Sequence, residues 1–303
     1  VNIRPPEASP YTVPLAAIAL VVMAAGSAAH YIGDPAAGKG TYLGEHPPGL
    51  HPVPFAPAAL AIPGKNHHTL SFSADGRELY FSRYPEHTTL VMREANGEWT
   101  PPEPAPWNGW EAIVSPGGKR IVFGDGDLWI SERTPAGWDR PRKLPPPVNS
   151  GDREYYASLT AGGSLYFSRL VGARPKIFRS RLEGGQYRAV EEVFDNAYHP
   201  FISPDERYIV FNSFGRNDGR GAADLYVAFS IGGGAFSPEL NLGPEINSPD
   251  SDLCPTVSPG GEYLFFTRLH EGTGRPFWVS AQILKSVRSR LRSQSLQAVS
   301  FER

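Results

Sequence analysis

From Leu70 onward the apolar positions fall in short runs bounded by Gly, Pro, Asp or Ser. The clearest are Leu79-Tyr80-Phe81, Ile121-Val122-Phe123, Leu165-Tyr166-Phe167, Ile209-Val210-Phe211 and Leu264-Phe265-Phe266. They are too short for helices and rich in β-branched and aromatic side chains. They are continuous rather than alternating, which predicts strands buried on both faces. A partner run precedes each one: Leu70-Ser71-Phe72, Ile113-Val114, Ser158-Leu159, Phe201-Ile202 and Thr256-Val257. Turn sequences lie between partners, from Ser73-Ala74-Asp75-Gly76 in the first pair to Ser258-Pro259-Gly260-Gly261 in the last. Pro presets φ near −65°, and Gly or Asp tolerates the positive φ that a tight hairpin needs. A third strand follows in each case, at Leu90-Val91-Met92, Leu128 to Ser131, Lys176 to Arg179, Asp224 to Val227 and Phe277 to Val279. Gly-aromatic turns such as Gly137-Trp138 and Gly234-Ala235-Phe236 introduce a poorer fourth strand.

The Ser or Thr heading each turn stands at 73, 115, 160, 203 and 258, so the unit recurs at spacings of 42, 45, 43 and 55 residues. That is the size of a four-stranded propeller blade. The chain is therefore read as all-β, a single β-propeller of five four-stranded blades. The fifth unit lacks its own fourth strand. The stretch Pro52 to Pro57 resembles the fourth segments Trp99 to Glu103 and Phe236 to Leu240. An N-terminal strand completing the last blade is expected, because closure leaves no open sheet edge. Six blades, the alternative, would need a further unit between 30 and 65, which lacks the turn signature.

The repeat resembles the TolB-type, WD-like β-propeller family of bacterial exported proteins. A related set of periplasmic propellers shares further features: Tyr42-Leu43-Gly44 with Pro47-Pro48-Gly49, and Ile246-Asn247-Ser248 followed by Ser258 to Phe266. The likeness covers about Tyr42 to Val287. Gly117, Gly162 and Gly260 stand where that family has Asp in the turn. The resemblance implies a fold and a compartment, and no reaction.

Composition agrees with this reading. Gly (32) and Pro (31) are too frequent for long helices and suit many turns. A formal net charge of −2 gives no pull toward nucleic acid. The single cysteine, Cys254, has no disulfide partner and cannot build a multi-cysteine metal site. An apolar run from Val13 to Ala25, followed by Gly26-Ser27-Ala28-Ala29, reads as a signal peptide. The expected organisation is a signal peptide at 1–29, a Pro/Gly-rich segment at 30–51, the propeller at 52–287 and a polar, Arg-rich tail at 288–303. The expected location is the periplasm or outside the cell, as a monomer with no membrane span once the signal is removed.

Strand alternation in a propeller gathers the starts of the first strands and the ends of the second strands at one end of the disc, away from the turns. Four residues before each turn Ser or Thr stand Thr69, Glu111, Tyr156, His199 and Cys254. One earlier are His68, Trp110, Tyr155, Tyr198 and Leu253, and one earlier again His67, Gly109, Glu154, Ala197 and Asp252. Arg83, Arg169 and Arg268 end three of the second strands. Such a mouth supports two readings. Arg83, Arg169, Arg268, His68, Glu111, Tyr155 and His199 could bind a ligand, the guanidiniums clamping a carboxylate or sulfate. Glu111, Tyr156 or Asp252 could act as acid, base or nucleophile on an acidic sugar. Against both stands the simpler expectation that an arginine such as Arg169 pairs with an acid such as Glu154.

A metal held by His67-His68, His199 and Glu111 is set aside, because adjacent strand residues point to opposite sides. No cofactor is expected. The 213–223 insertion lies on the same face and reads as a flexible loop. Nucleophile-elbow, phosphate-loop and dinucleotide motifs are absent from the sequence. The sequence thus supports a binding or scaffold module for a protein or envelope glycan, with a hydrolase or lyase on an acidic sugar as the alternative.

Overall fold

The computed structural model describes residues 41–55, Leu60 and 66–289; the signal-peptide run and the tail beyond 289 lie outside them. The described chain is mostly β, and its strands form antiparallel meanders. The first meander runs Asn66–Phe72, Glu78–Tyr84, Thr88–Ala95 and Glu103–Pro104. The second runs Trp110–Val114, Arg120–Gly124, Leu128–Thr134 and Arg142–Lys143. The third comprises Arg153–Leu159, Leu165–Val171, Arg174–Ser180 and Glu191–Asp195. The fourth comprises Tyr198–Ile202, Tyr208–Phe214, Ala223–Gly232 and Leu240–Asn241. The last has Ser251–Val257, Tyr263–His270 and Thr273–Ser280, and its outer edge is Val53–Pro54, with Val53 opposite Trp278.

The Ser or Thr at each turn has a local task. Ser73 Oγ accepts the Glu78 N–H at 2.9 Å, and Ser115, Thr160, Ser203 and Ser258 do the same in their turns at 3.0 Å. One short hydroxyl therefore ties the turn to the start of the second strand, which is why this position recurs as Ser or Thr.

The second strands show why their apolar runs are continuous. Successive side chains point to opposite faces, and both faces meet a neighbouring sheet. Leu79 and Phe81 pack with Phe265 and Trp278 of the last repeat, whereas Tyr80 packs with Ile121 and Phe123 of the second. Val122 packs against Ala157 and Leu165 of the third, and Ile209 and Phe211 against Tyr166 and Ile177. Val210 faces Leu264 and Phe266. Each repeat thus shares a core with the next, and the last shares one with the first.

Both ends of the described stretch are tied into this core. The Tyr42 ring lies 5.2 Å from Phe72 of the first repeat and 5.2 Å from Tyr263 of the last. Leu43 and Phe55 are buried at the same seam, so this N-terminal stretch packs as part of the core. At the other end residues 282–289 form a helix. Ile283, Leu284 and Val287 share one face at helical spacing and are buried against Leu242, Ile246 and Leu264. Of the polar tail expected at 288–303 only residues 288 and 289 are described, and they continue this helix. No helix among the described residues is long and apolar enough to cross a membrane.

Candidate functional site

Every first strand carries a bulge at the same place. The strand registers shift between His68 and Leu70, Trp110 and Ile113, Tyr155 and Ala157, Tyr198 and Phe201, and Leu253 and Thr256. The bulged residues are Thr69, Glu111, Tyr156, His199 and Cys254, and their φ values are 54°, 55°, 43°, 49° and 53°. Non-glycine residues in the left-handed region cost about 1–3 kcal/mol each. Here the surroundings hold them: the Glu111 N–H donates to Ser82 Oγ at 2.6 Å and the His199 N–H to Ser168 Oγ at 2.9 Å, each across to the preceding repeat. The bulge turns five chemically different side chains into the interior, each at most 1 % exposed.

Three of the five converge. His199 Nδ1 lies 2.7 Å from Asn212 Oδ1 and 3.6 Å from Cys254 Sγ, and His199 Nε2 lies 3.7 Å from Glu111 Oε1. The Cys254 N–H also points at Asn212 Oδ1, at 3.4 Å. With that amide oxygen accepting, the network places the His199 proton on Nδ1, and Nε2 faces Glu111. Burial lowers His199 to about 3, so the ring is neutral at ordinary pH. Burial, with Glu111 alongside, pushes the Cys254 thiol well up. Tyr156 lies beside this group, its ring 4.7 Å from that of His199, and its hydroxyl donates to the Pro255 carbonyl at 2.9 Å. Burial raises its phenol far above the ordinary range, so it is not a ready nucleophile.

Arg169 and Arg268 are engaged in pairs of their own, whereas the buried Arg83 Nε has no hydrogen-bond partner among the described residues. Arg169 Nε donates to Glu154 Oε1 at 2.7 Å, its register partner on the adjacent strand, and its Nη2 donates to the carbonyls of Pro147 and Val148, at 3.0 Å each. Arg268 repeats this with Asp252 Oδ1 at 2.8 Å and the Ile246 carbonyl at 2.8 Å. Burial raises the Asp252 carboxyl, and Arg268 works against that rise. Each pair sits within its own meander. In the first repeat His67 stands opposite Arg83 in place of an acid, and burial, then Arg83, lowers its imidazole to about 4.

The Ile-Asn-Ser motif serves the same construction. The Asn247 amide bonds both backbone groups of Leu225, and the Ser248 hydroxyl donates to Asp252 at 3.0 Å. Asn149 does the same for Leu128, and Ser150 bonds Glu154.

The end of the structure expected to be an open mouth is filled by side chains. His68, Trp110, Tyr155 and Leu253 are buried there, and Tyr155 and Leu253 share a cluster with Ala223 and Cys254. The 213–223 insertion is pinned to its own repeat: Tyr226 Oη donates to Asp218 at 2.9 Å, and the Arg216 guanidinium stacks 4.4 Å from the Tyr226 ring. The concavity that draws on all the repeats opens at the opposite end, among the turns. It measures about 50 Å³ and is lined by residues such as Ala74, Pro116, Leu159, Pro204 and Pro259, with no charged side chain. The periodic sequence located both ends, but only packing shows which one is filled.

No protein-family model matches the chain, and no curated protein matches it either. Among solved structures it is similar to a TolB of Agrobacterium tumefaciens, with 19% identity, 69% of this chain and 71% of that chain covered, and a TM-score of 0.49. It is similar to TolB of Acinetobacter baumannii at 14% identity, covering 71% of this chain and 54% of that one, with a TM-score of 0.47. A gluconolactonase of Xanthomonas campestris is similar at 14% identity, covering 77% of this chain and 93% of that one, also with a TM-score of 0.47.

Proposed function

We propose that this chain is a closed, five-bladed β-propeller acting as a binding module, and that it takes a segment of a partner protein at the turn end. The shared cores between successive repeats support the ring, as does Val53–Pro54 on the outer edge of the last meander. So does the hydrogen bond from Thr256 Oγ1 to the Leu70 carbonyl, which links the last repeat to the first at 2.6 Å.

The observation that carries the binding reading is the turn-end concavity, to which every repeat contributes and which no charged side chain lines. A concavity of about 50 Å³ without charged side chains has room for no more than a small apolar side chain at the tip of a segment, and suits that better than an acidic sugar. The acidic-sugar enzyme loses support from Arg169 and Arg268, whose guanidiniums are saturated by Glu154, Asp252 and backbone carbonyls. An exported location, periplasmic or secreted, belongs to the same proposal and is supported by the apolar run at 13–25.

The test is photo-crosslinking in cells, with a benzophenone amino acid placed at Ala74 in the turn end or at the exposed Val171 at the other end. A discrete protein adduct from Ala74 and none from Val171 is expected. An adduct from Val171 alone would overturn the assignment of the face, and a glycan adduct from Ala74 would replace the protein partner by a carbohydrate.

A further inference from the structure

We propose that Cys254, His199 and Glu111 form a site for a single divalent transition-metal ion of the zinc type, buried in the interior where the bulges meet. One donor atom from each residue lies within 4.8 Å of the other two. Tetrahedral zinc, with bonds of about 2.0–2.3 Å, sets its donors about 3.3–3.7 Å apart. The 3.7 Å between His199 Nε2 and Glu111 Oε1 lies at that edge length and is too long for a direct hydrogen bond.

The donor types also fit one another. A thiolate, an imidazole and a carboxylate together suit a borderline cation such as Zn²⁺ or Co²⁺ better than Mg²⁺ or Ca²⁺, which prefer oxygen alone. Binding replaces the thiol proton, which leaves to solvent, by the metal. A thiolate, a carboxylate and a dication then sum to zero charge. A neutral set is what an interior with side chains at most 1 % exposed tolerates best.

A second, independent observation is the support behind the ligands. Metal-bound histidines characteristically donate their other ring N–H to a fixed acceptor, which sets the tautomer and aims the free nitrogen. His199 Nδ1 has this partner in Asn212 Oδ1 at 2.7 Å. Asn212 is itself fully buried, and its Nδ2 has no hydrogen-bond partner among the described residues, so the side chain is held there by what its oxygen does. That oxygen also faces the backbone N–H of Cys254, which ties the amide to two of the three ligands. All three ligands stand on left-handed bulge residues, with φ of 55°, 49° and 53°. Strained non-glycine backbone of this kind is frequent at functional sites. Three protein ligands leave one coordination position free, as in sites that bind a water or a small ligand at the metal. This site is separate from the turn-end concavity, so either proposal stands without the other.

The test uses the purified full chain and Co²⁺ as the optical probe. A thiolate-to-cobalt charge-transfer band with tetrahedral d–d bands, saturating at one equivalent and displaced by Zn²⁺, is the expected result. Glu111→Gln and Asn212→Ala should each weaken cobalt affinity at least tenfold while the chain stays folded by circular dichroism, and Cys254→Ser should abolish the charge-transfer band. Should a variant fail to fold, zinc retained by the unsubstituted protein after gel filtration decides: about one equivalent supports the site. No cobalt spectrum and no retained zinc in folded protein would overturn it. A cobalt spectrum whose affinity is unchanged by both Glu111→Gln and Asn212→Ala would overturn it as well, since it would report a cysteine binding alone.

Discussion

At the scale of single residues, the side chains with the most chemistry are shared between two kinds of task. Glu154, Asp252, Arg169 and Arg268 are structural: each carboxylate is fully buried and each arginine only 12% or 18% exposed. Removing one member of such a pair leaves the other charge desolvated and uncompensated, which typically costs about 3–5 kcal/mol. Arg169→Ala is therefore expected to lower the unfolding free energy in urea by about 3 kcal/mol. A loss below about 1 kcal/mol would mean that Glu154 is not held by this pair. Glu111, His199 and Cys254 differ, since their side chains gather from three different repeats around one point of the interior. In the sequence Glu111 and His199 already stood among the candidate ligand-binding residues, whereas Cys254 was only a member of the same column of aligned positions. Cys254 looked inert because a lone cysteine is usually just a small buried apolar residue.

At the scale of elements, the hairpin turns were legible because their chemistry is local. A Ser or Thr whose hydroxyl reaches four or five residues ahead, followed by Pro, Asp or Gly, works the same way in any context. The helix at 282–289 was not legible in the same way. Its exposed face carries Gln282, Lys285 and Ser286, and only three apolar residues mark the other face. A stripe that short specifies a helix only when a core waits to receive it. Leu284→Ala should cost about 2–4 kcal/mol through the cavity it leaves, measured by chemical denaturation. Lys285→Ala, on the exposed face, is the control and should change stability by less than about 0.5 kcal/mol.

For the whole molecule, acid is the condition that tests the interior. Burial lowers both His67 and His68 from 6.5 to about 4. The folded form holds them neutral while the unfolded chain protonates them. Their contribution to stability is thus complete above about pH 6.5 and is lost as pH falls toward 4. Each histidine adds up to about a tenfold rise in the unfolding constant per pH unit across that window. Asp252, whose carboxyl is raised by burial, acts in the opposite sense, as pH falls through its raised value toward the ordinary 3.8. A melting temperature that falls steadily between pH 6.5 and 4 is expected, and His67→Gln with His68→Gln should make the decline shallower, the remainder coming from His199. A wild-type melting temperature constant across that range would show that these histidines titrate alike in both states.

The sequence by itself determined the repeat, its strands and its turns, because these depend on contacts between residues a few positions apart. It also determined that Glu111, His199 and Cys254 occupy equivalent places. Tertiary structure decided what that equivalence means. The residues lie up to 143 positions apart in the chain (Glu111 to Cys254), and only the packing of sheet against sheet brings their donor atoms within 4.8 Å. Which end is filled by Trp110 and Tyr155, and which stays concave, was decided there too. Side-chain volume summed over all the repeats settles it, and no local pattern carries that sum.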